Sequence, residues 1–285
     1  MRANAARALA SAAGVALLPL AALAQTPAAG ADTFPVVTLP GTQLRHMRSA
    51  ATGRDYDIQI SPPADYARNP SARHPVLYVL DGQWDFKLML SVQGGLTYDR
   101  WTPQIFIVGI TWPGANPNYD SLRAMDLTPQ ATRRLPGSGA APQFLTFLRT
   151  ELIPFVEANW RADPQRRVLM GSSFGGLFAL YAMFSDPSLF AGYIAASPAV
   201  SYAGRAAFAQ ESAYAAAHKE LPVRLFLSVG ELEPLAGPVQ ELIGVLSRRG
   251  YRGLALETRV IAGERHSGNK PEAFNRGLRF VLGSR

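Results

Sequence analysis

The stretch that decides the fold is Val168-Leu169-Met170-Gly171-Ser172-Ser173-Phe174-Gly175-Gly176-Leu177-Phe178. Consecutive apolar residues at 168–170 read as the end of a buried strand, and the apolar run 174–184 reads as a helix. Between them, G-x-S-x-G at 171–175 reads as a turn sharp enough to lift a serine hydroxyl out of a sheet. Such a turn strains its central residue, and its neighbours must be small for the two backbones to approach. Gly171, Gly175 and Gly176 meet that need, which makes Ser173 the candidate nucleophile.

On either side of this stretch, β-rich apolar runs at 55–60, 76–80, 105–110, 193–196, 224–229 and 255–261 alternate with helical patterns at 142–160, 204–218, 239–249 and 271–282. The alternation predicts an α/β fold with a mainly parallel central sheet. Val76-Leu77-Tyr78-Val79-Leu80 and the run 105–110 are apolar without alternation, as expected of strands covered by helices on both faces. Residues 43–60 are expected to supply antiparallel edge strands. Residues 113–141 are rich in Gly, Pro and Asn and longer than an ordinary connection, a candidate binding loop or lid. No repeat or long linker divides residues 36–285, so one domain is expected there.

The beginning of the chain reads differently. Arg2 and Arg7 precede an apolar run from Val15 to Leu23 that closes on Ala22-Leu23-Ala24. This pattern predicts a cleaved signal peptide over 1–24, a small and polar lead-in over 25–35, and a periplasmic or secreted protein. The run is short and rich in alanine for a membrane anchor, so cleavage is expected ahead of the second reading, an uncleaved tether. Removing Arg2 and Arg7 and no acid lowers the formal charge from +7 to +5. The remaining basic residues are scattered, which reads as a solvated surface and gives no indication of nucleic acid. The chain has no cysteine, excluding disulfides, thiolate catalysis and thiolate metal sites. No histidine pair has ligand spacing, so neither metal nor cofactor is expected.

A serine hydroxyl needs a base, and the α/β-hydrolase fold that carries such an elbow orders its triad Ser, acid, His along the chain. Of four histidines, His46, His74 and His218 have simple structural readings, whereas His266 sits in a polar loop directly after the run 255–261. The acid is expected after the run 224–229, in Gly230-Glu231-Leu232-Glu233. The usual acid turn of these hydrolases favours Glu233, with Glu231 second. The acid would accept the Nδ1 proton of His266 and leave Nε2 facing Ser173. Oxyanion donors are expected from the backbone N–H groups of Phe174 and of Gln83, the latter in the tight turn after Leu80. Trp84 and Trp112 end up near strand ends, as an aromatic wall for a ligand or as ordinary core residues.

Several segments together resemble the esterase-D-like family of α/β hydrolases: Gly53-Arg54-Asp55-Tyr56 with Ser61-Pro62-Pro63, Pro75 through Gly82, Arg123 through Pro129, the elbow, the turn 230–233 and the His266 loop. That family includes trilactone siderophore esterases, feruloyl and acetyl-xylan esterases and mycolyltransferases. The Leu80-Asp81-Gly82 turn, the R-x-x-D-L-T-P stretch at 123–129 and the G-E-L-E turn look most like the periplasmic enterobactin and salmochelin hydrolases. The resemblance implies a serine esterase that cuts lactone bonds of a catecholate siderophore. In that subgroup the triad acid can be weak or absent, which keeps a Ser-His dyad open. Arg123 is a candidate anion ligand; its simpler reading is a buried pair with Asp126 or Asp120. Two other readings stand beside this one: a carbohydrate esterase releasing acetyl or feruloyl groups, and a non-catalytic exported binding protein on a hydrolase scaffold.

Overall fold

Eight strands form a single sheet in the order β1-β2-β4-β3-β5-β6-β7-β8, in a computed structural model that describes residues 37–283. The expected signal peptide and the lead-in both lie outside the described residues. The strands are β1 (Gln43–Arg48), β2 (Asp55–Ser61), β3 (His74–Val79), β4 (Phe106–Thr111), β5 (Ala162–Ser172), β6 (Gly192–Ala196), β7 (Arg224–Gly230) and β8 (Ala255–Ile261). As expected, β1 and β2 are antiparallel to their neighbours at one edge, and every pairing from β4 to β8 is parallel.

The central strands are buried on both faces because helices cover both. On one side α1 (Gly82–Tyr98) and α8 (Lys270–Leu282) pack Phe86, Met89, Phe274 and Leu278 against Leu77, Val79, Met170, Ile194 and Phe226. On the other, α3 (Ala141–Phe147), α5 (Phe174–Ser185), α6 (Tyr202–Ala217) and α7 (Ala236–Arg249) enclose Tyr78, Leu169, Tyr193 and Leu225. Apolar burial on this scale is the main stabilising contribution. Among the described residues no helix is long and apolar enough to cross a membrane.

Three elements depart from the sequence expectation. Helix α1 follows β3 directly, where only a tight turn is expected; its inward residues Phe86, Met89, Gln93 and Leu96 mix apolar and polar types, which blurs the helical period. The expected helix over 142–160 is α3, a wide π turn over Leu148–Leu152, and α4 (Ile153–Asn159). The wide turn sits just before Pro154, whose ring has no N–H to donate four residues back. The segment 113–141 is not one open loop, since it contains α2 (Tyr119–Leu127), started by Asn118, whose side chain accepts the N–H of Ser121 at 3.1 Å. Helix α2 buries Ala124, Asp126 and Leu127, which anchors the middle of the segment to the body of the fold.

Candidate active site

The parallel register brings the C-terminal ends of β3, β5, β6, β7 and β8 to one edge, where ligands collect in such sheets. Ser173 stands between β5 and α5 with φ 60 and ψ −117, a conformation rarely adopted by a residue with a Cβ. It is held there by its backbone: its N–H donates to Ala196 O at 3.0 Å, and its carbonyl accepts from Leu177 at 2.9 Å and Ala199 at 3.1 Å. A Cβ on Gly171 would run into the backbone of Gly175, so the strand and helix meet this closely because residue 171 has no side chain.

The loop after β8 carries His266, and the turn after β7 carries both glutamates. Glu233 is buried, with 6% exposure, and its Oε2 lies 2.5 Å from His266 Nδ1. Glu231 is exposed and accepts the Gly263 N–H at 2.8 Å, a contact between the two turns rather than with the imidazole. A proton on Nδ1 shared with Glu233 leaves Nε2 free to act as acceptor. Ser173 and His266 line one cavity of about 410 Å³, with Trp84, Arg123, Ser172, Ser267 and Lys270. No hydrogen bond joins the Ser173 hydroxyl to the imidazole; catalytic contacts of this kind often tighten only with substrate bound.

The other histidines lie elsewhere: His46 against Asp57 on the edge strands, His74 buried at the start of β3, and His218 tilted against the Tyr214 ring at the end of α6. Gln83 and Phe174 are first-turn residues of α1 and α5, where backbone N–H groups have no partner within the helix. The β3–α1 turn is set by Asp81, left-handed at φ 56 and 2% exposed.

Asp81 is also the partner of Arg123, which corrects the expectation of Asp126 or Asp120. The guanidinium donates through Nε to Oδ1 at 2.6 Å and through Nη2 to Oδ2 at 3.0 Å. One helical turn places Asp126 on the inner side of α2, where it accepts from Arg54, from Tyr56 at 2.9 Å and from Trp112 Nε1 at 2.8 Å. Trp112, offered as a wall of the site, is therefore a core residue with 4% exposure. Its indole N–H is spent on a buried carboxylate.

Trp84 does reach the cavity and is 41% exposed. The Arg123 guanidinium lies 5.3 Å and the Lys270 ammonium 6.0 Å from its ring centroid. Sequence reasoning missed Lys270, although it lies one helical turn after His266. Its Nζ donates to both oxygens of Asp85, at 2.9 and 3.1 Å. Burial pushes the Asp85 carboxyl above its ordinary range, and Lys270 pulls the other way.

Residues 49–269 match the family described as "Putative esterase". The chain belongs to that esterase family. The esterase is 32% identical over 268 residues to the ferri-bacillibactin esterase BesA of Bacillus subtilis, covering 86% of this chain and 91% of BesA. It is 33% identical to the apo-salmochelin esterase of Escherichia coli over about half of each chain, 52% of this one and 48% of that. The solved structure of the BES protein from Bacillus cereus superposes with a TM-score of 0.79 at 28% identity, over 88% of this chain and 98% of that one. The family and fold establish a carboxylic ester hydrolase with an α/β-hydrolase sheet, and the scaffold reading without catalysis gives way to it.

Proposed function

We propose that this esterase opens the lactone bonds of a catecholate siderophore through Ser173, His266 and Glu233. The observation that carries the triad is the 2.5 Å contact of His266 Nδ1 with buried Glu233, at a cavity that also takes in the strained Ser173. In the reaction, Ser173 Oγ attacks the ester carbonyl while His266 Nε2 takes its proton, and Glu233 stabilises the imidazolium that forms. The carbonyl oxygen becomes an oxyanion, for which the N–H groups of Gln83 and Phe174 are the donors. Collapse breaks the bond to the alkoxy oxygen, which leaves with the proton from His266. A water activated by the same imidazole then cleaves the acyl-enzyme and restores the serine.

Two lines support the siderophore substrate. BesA and the apo-salmochelin esterase are named for siderophores. The indole of Trp84, flanked by Arg123 and Lys270, supplies a flat apolar face beside two cations, a chemistry suited to an anionic aromatic ring. Both cations are paired with buried carboxylates, so they orient a ligand more than they add net charge. We further propose export, with cleavage after Ala24; an N-terminus at Gln25 in protein recovered from the periplasm or the medium is the expected result.

A fluorophosphonate probe is expected to label the parent and not Ser173→Ala; a folded parent that stays unlabelled overturns the nucleophile. For the substrate, kcat/KM is compared for ferric enterobactin, methyl ferulate and aryl acetates. The trilactone is expected to lead. Preference for ferulate or acetate without trilactone cleavage would replace the siderophore reading with a carbohydrate esterase.

A further inference from the structure

We propose that Ser197 and Asn269 are positioning residues that hold the acid and the histidine turn in register, an inference that rests on the triad reading above. The two oxygens of Glu233 have different surroundings. Oε1 accepts from the Gly230 N–H at 2.6 Å, from the Ser197 hydroxyl, and from Asn269 Nδ2 at 3.4 Å. Oε2 is left to His266 Nδ1. The carboxylate cannot turn away from the imidazole without giving up donors that have no water to replace them, because Ser197 and Asn269 are both fully buried.

Asn269 ties this acid to the other half of the pair. Its Nδ2 lies 2.8 Å from the carbonyl oxygen of His266, 3.0 Å from that of Arg265 and 3.0 Å from Ser197 Oγ. An asparagine just before the first residue of a helix ordinarily caps it through its side chain, yet here the side chain makes no cap bond to α8. Its amide nitrogen is committed to the histidine turn and the acid instead, while its buried Oδ1 has no partner.

Ser197 shows a matching constraint. It follows β6 with φ 44, a left-handed conformation that is rare for serine, and its N–H donates to Ser228 O at 2.7 Å at the end of β7. That backbone anchors its hydroxyl against Glu233. Neither residue lines the cavity, so both act through the acid and the histidine rather than on substrate.

The test is steady-state hydrolysis of p-nitrophenyl acetate by Ser197→Gly and Ser197→Ala, each alone and combined with Glu233→Gln. Glycine accepts the left-handed backbone without strain, so Ser197→Gly removes the hydroxyl while sparing the turn. Both variants are expected to lose about tenfold in kcat, the worth of one hydrogen bond to a charged group, with KM within about twofold of the parent. In the Glu233→Gln background the further loss is expected to be under about twofold, because the acid through which Ser197 acts is already gone. Parental kcat in both Ser197 variants, with Glu233→Gln slow, overturns the inference. So does a full tenfold loss that persists in the Glu233→Gln background, which marks a purely structural effect. A parental rate in Glu233→Gln itself overturns the triad reading and takes this inference with it.

Discussion

Two glutamates stand two residues apart after β7, in unlike surroundings. Glu231 is exposed and bonded to a backbone N–H of the neighbouring turn, while Glu233 is buried against His266. Glu233→Gln is expected to lower kcat by on the order of 10²-fold or more, because the amide no longer stabilises the imidazolium. Glu231→Gln is expected to stay within about threefold of the parent, as a surface change should. Equal or reversed losses in steady-state kinetics would transfer the role to Glu231, and near-parental rates in both point to a Ser-His dyad. Arginines divide in the same way. Arg123→Met leaves the buried Asp81 charge without its partner, at a cost of about 3 kcal/mol in urea unfolding. Arg252→Met removes only an exposed pair with Glu220 and is expected to cost under about 1 kcal/mol. If the two variants unfold alike, Arg123 is not a structural partner of the β3–α1 turn.

At the scale of elements, the site depends on how closely β5 and α5 approach. Gly171→Ala is expected to destabilise by about 1–3 kcal/mol, the usual range for forcing an extra methyl into a packed junction. Activity should fall with it, since the elbow must open to admit the Cβ. Unchanged denaturant midpoint and kcat would mean that the junction relaxes freely. Helix α2 makes the corresponding point for 113–141. Composition there reads as loop, yet one face of the helix carries Arg123 toward the β3–α1 turn and Asp126 toward Arg54, Tyr56 and Trp112. The length of the segment is visible in the sequence, but its division of charges between site and core depends on which face of α2 meets the body of the protein.

At the scale of the molecule, the sheet of the described residues ends at β1 and β8, and a terminal strand is where a sheet risks pairing with another chain. Both edges carry charge: Arg45 and Arg48 on β1, Glu257 and Arg259 on β8. Val260 lies beside Arg259 and is 45% exposed. Arg259→Ile is expected to raise aggregation, followed by light scattering on heating, while esterase kcat/KM stays within about twofold of the parent because Arg259 does not line the cavity that holds Ser173 and His266. No increase in scattering would show that edge charge is not what keeps this sheet from pairing.

The layered fold and the places of Ser173 and His266 at strand ends are legible in the amino-acid order, because each is signalled locally: apolar runs too continuous for one-sided strands, glycines where backbones must touch, and a polar loop directly after a strand. The acid stayed divided between Glu231 and Glu233 because spacing along a turn does not say which side chain faces inward. The partner of Arg123, the burial of Trp112, the entry of Lys270 into the cavity and the network of Ser197 and Asn269 emerge only once the chain is packed. Each joins residues far apart in the chain, and desolvation together with hydrogen-bond geometry, which exist only after packing, selects the pairs.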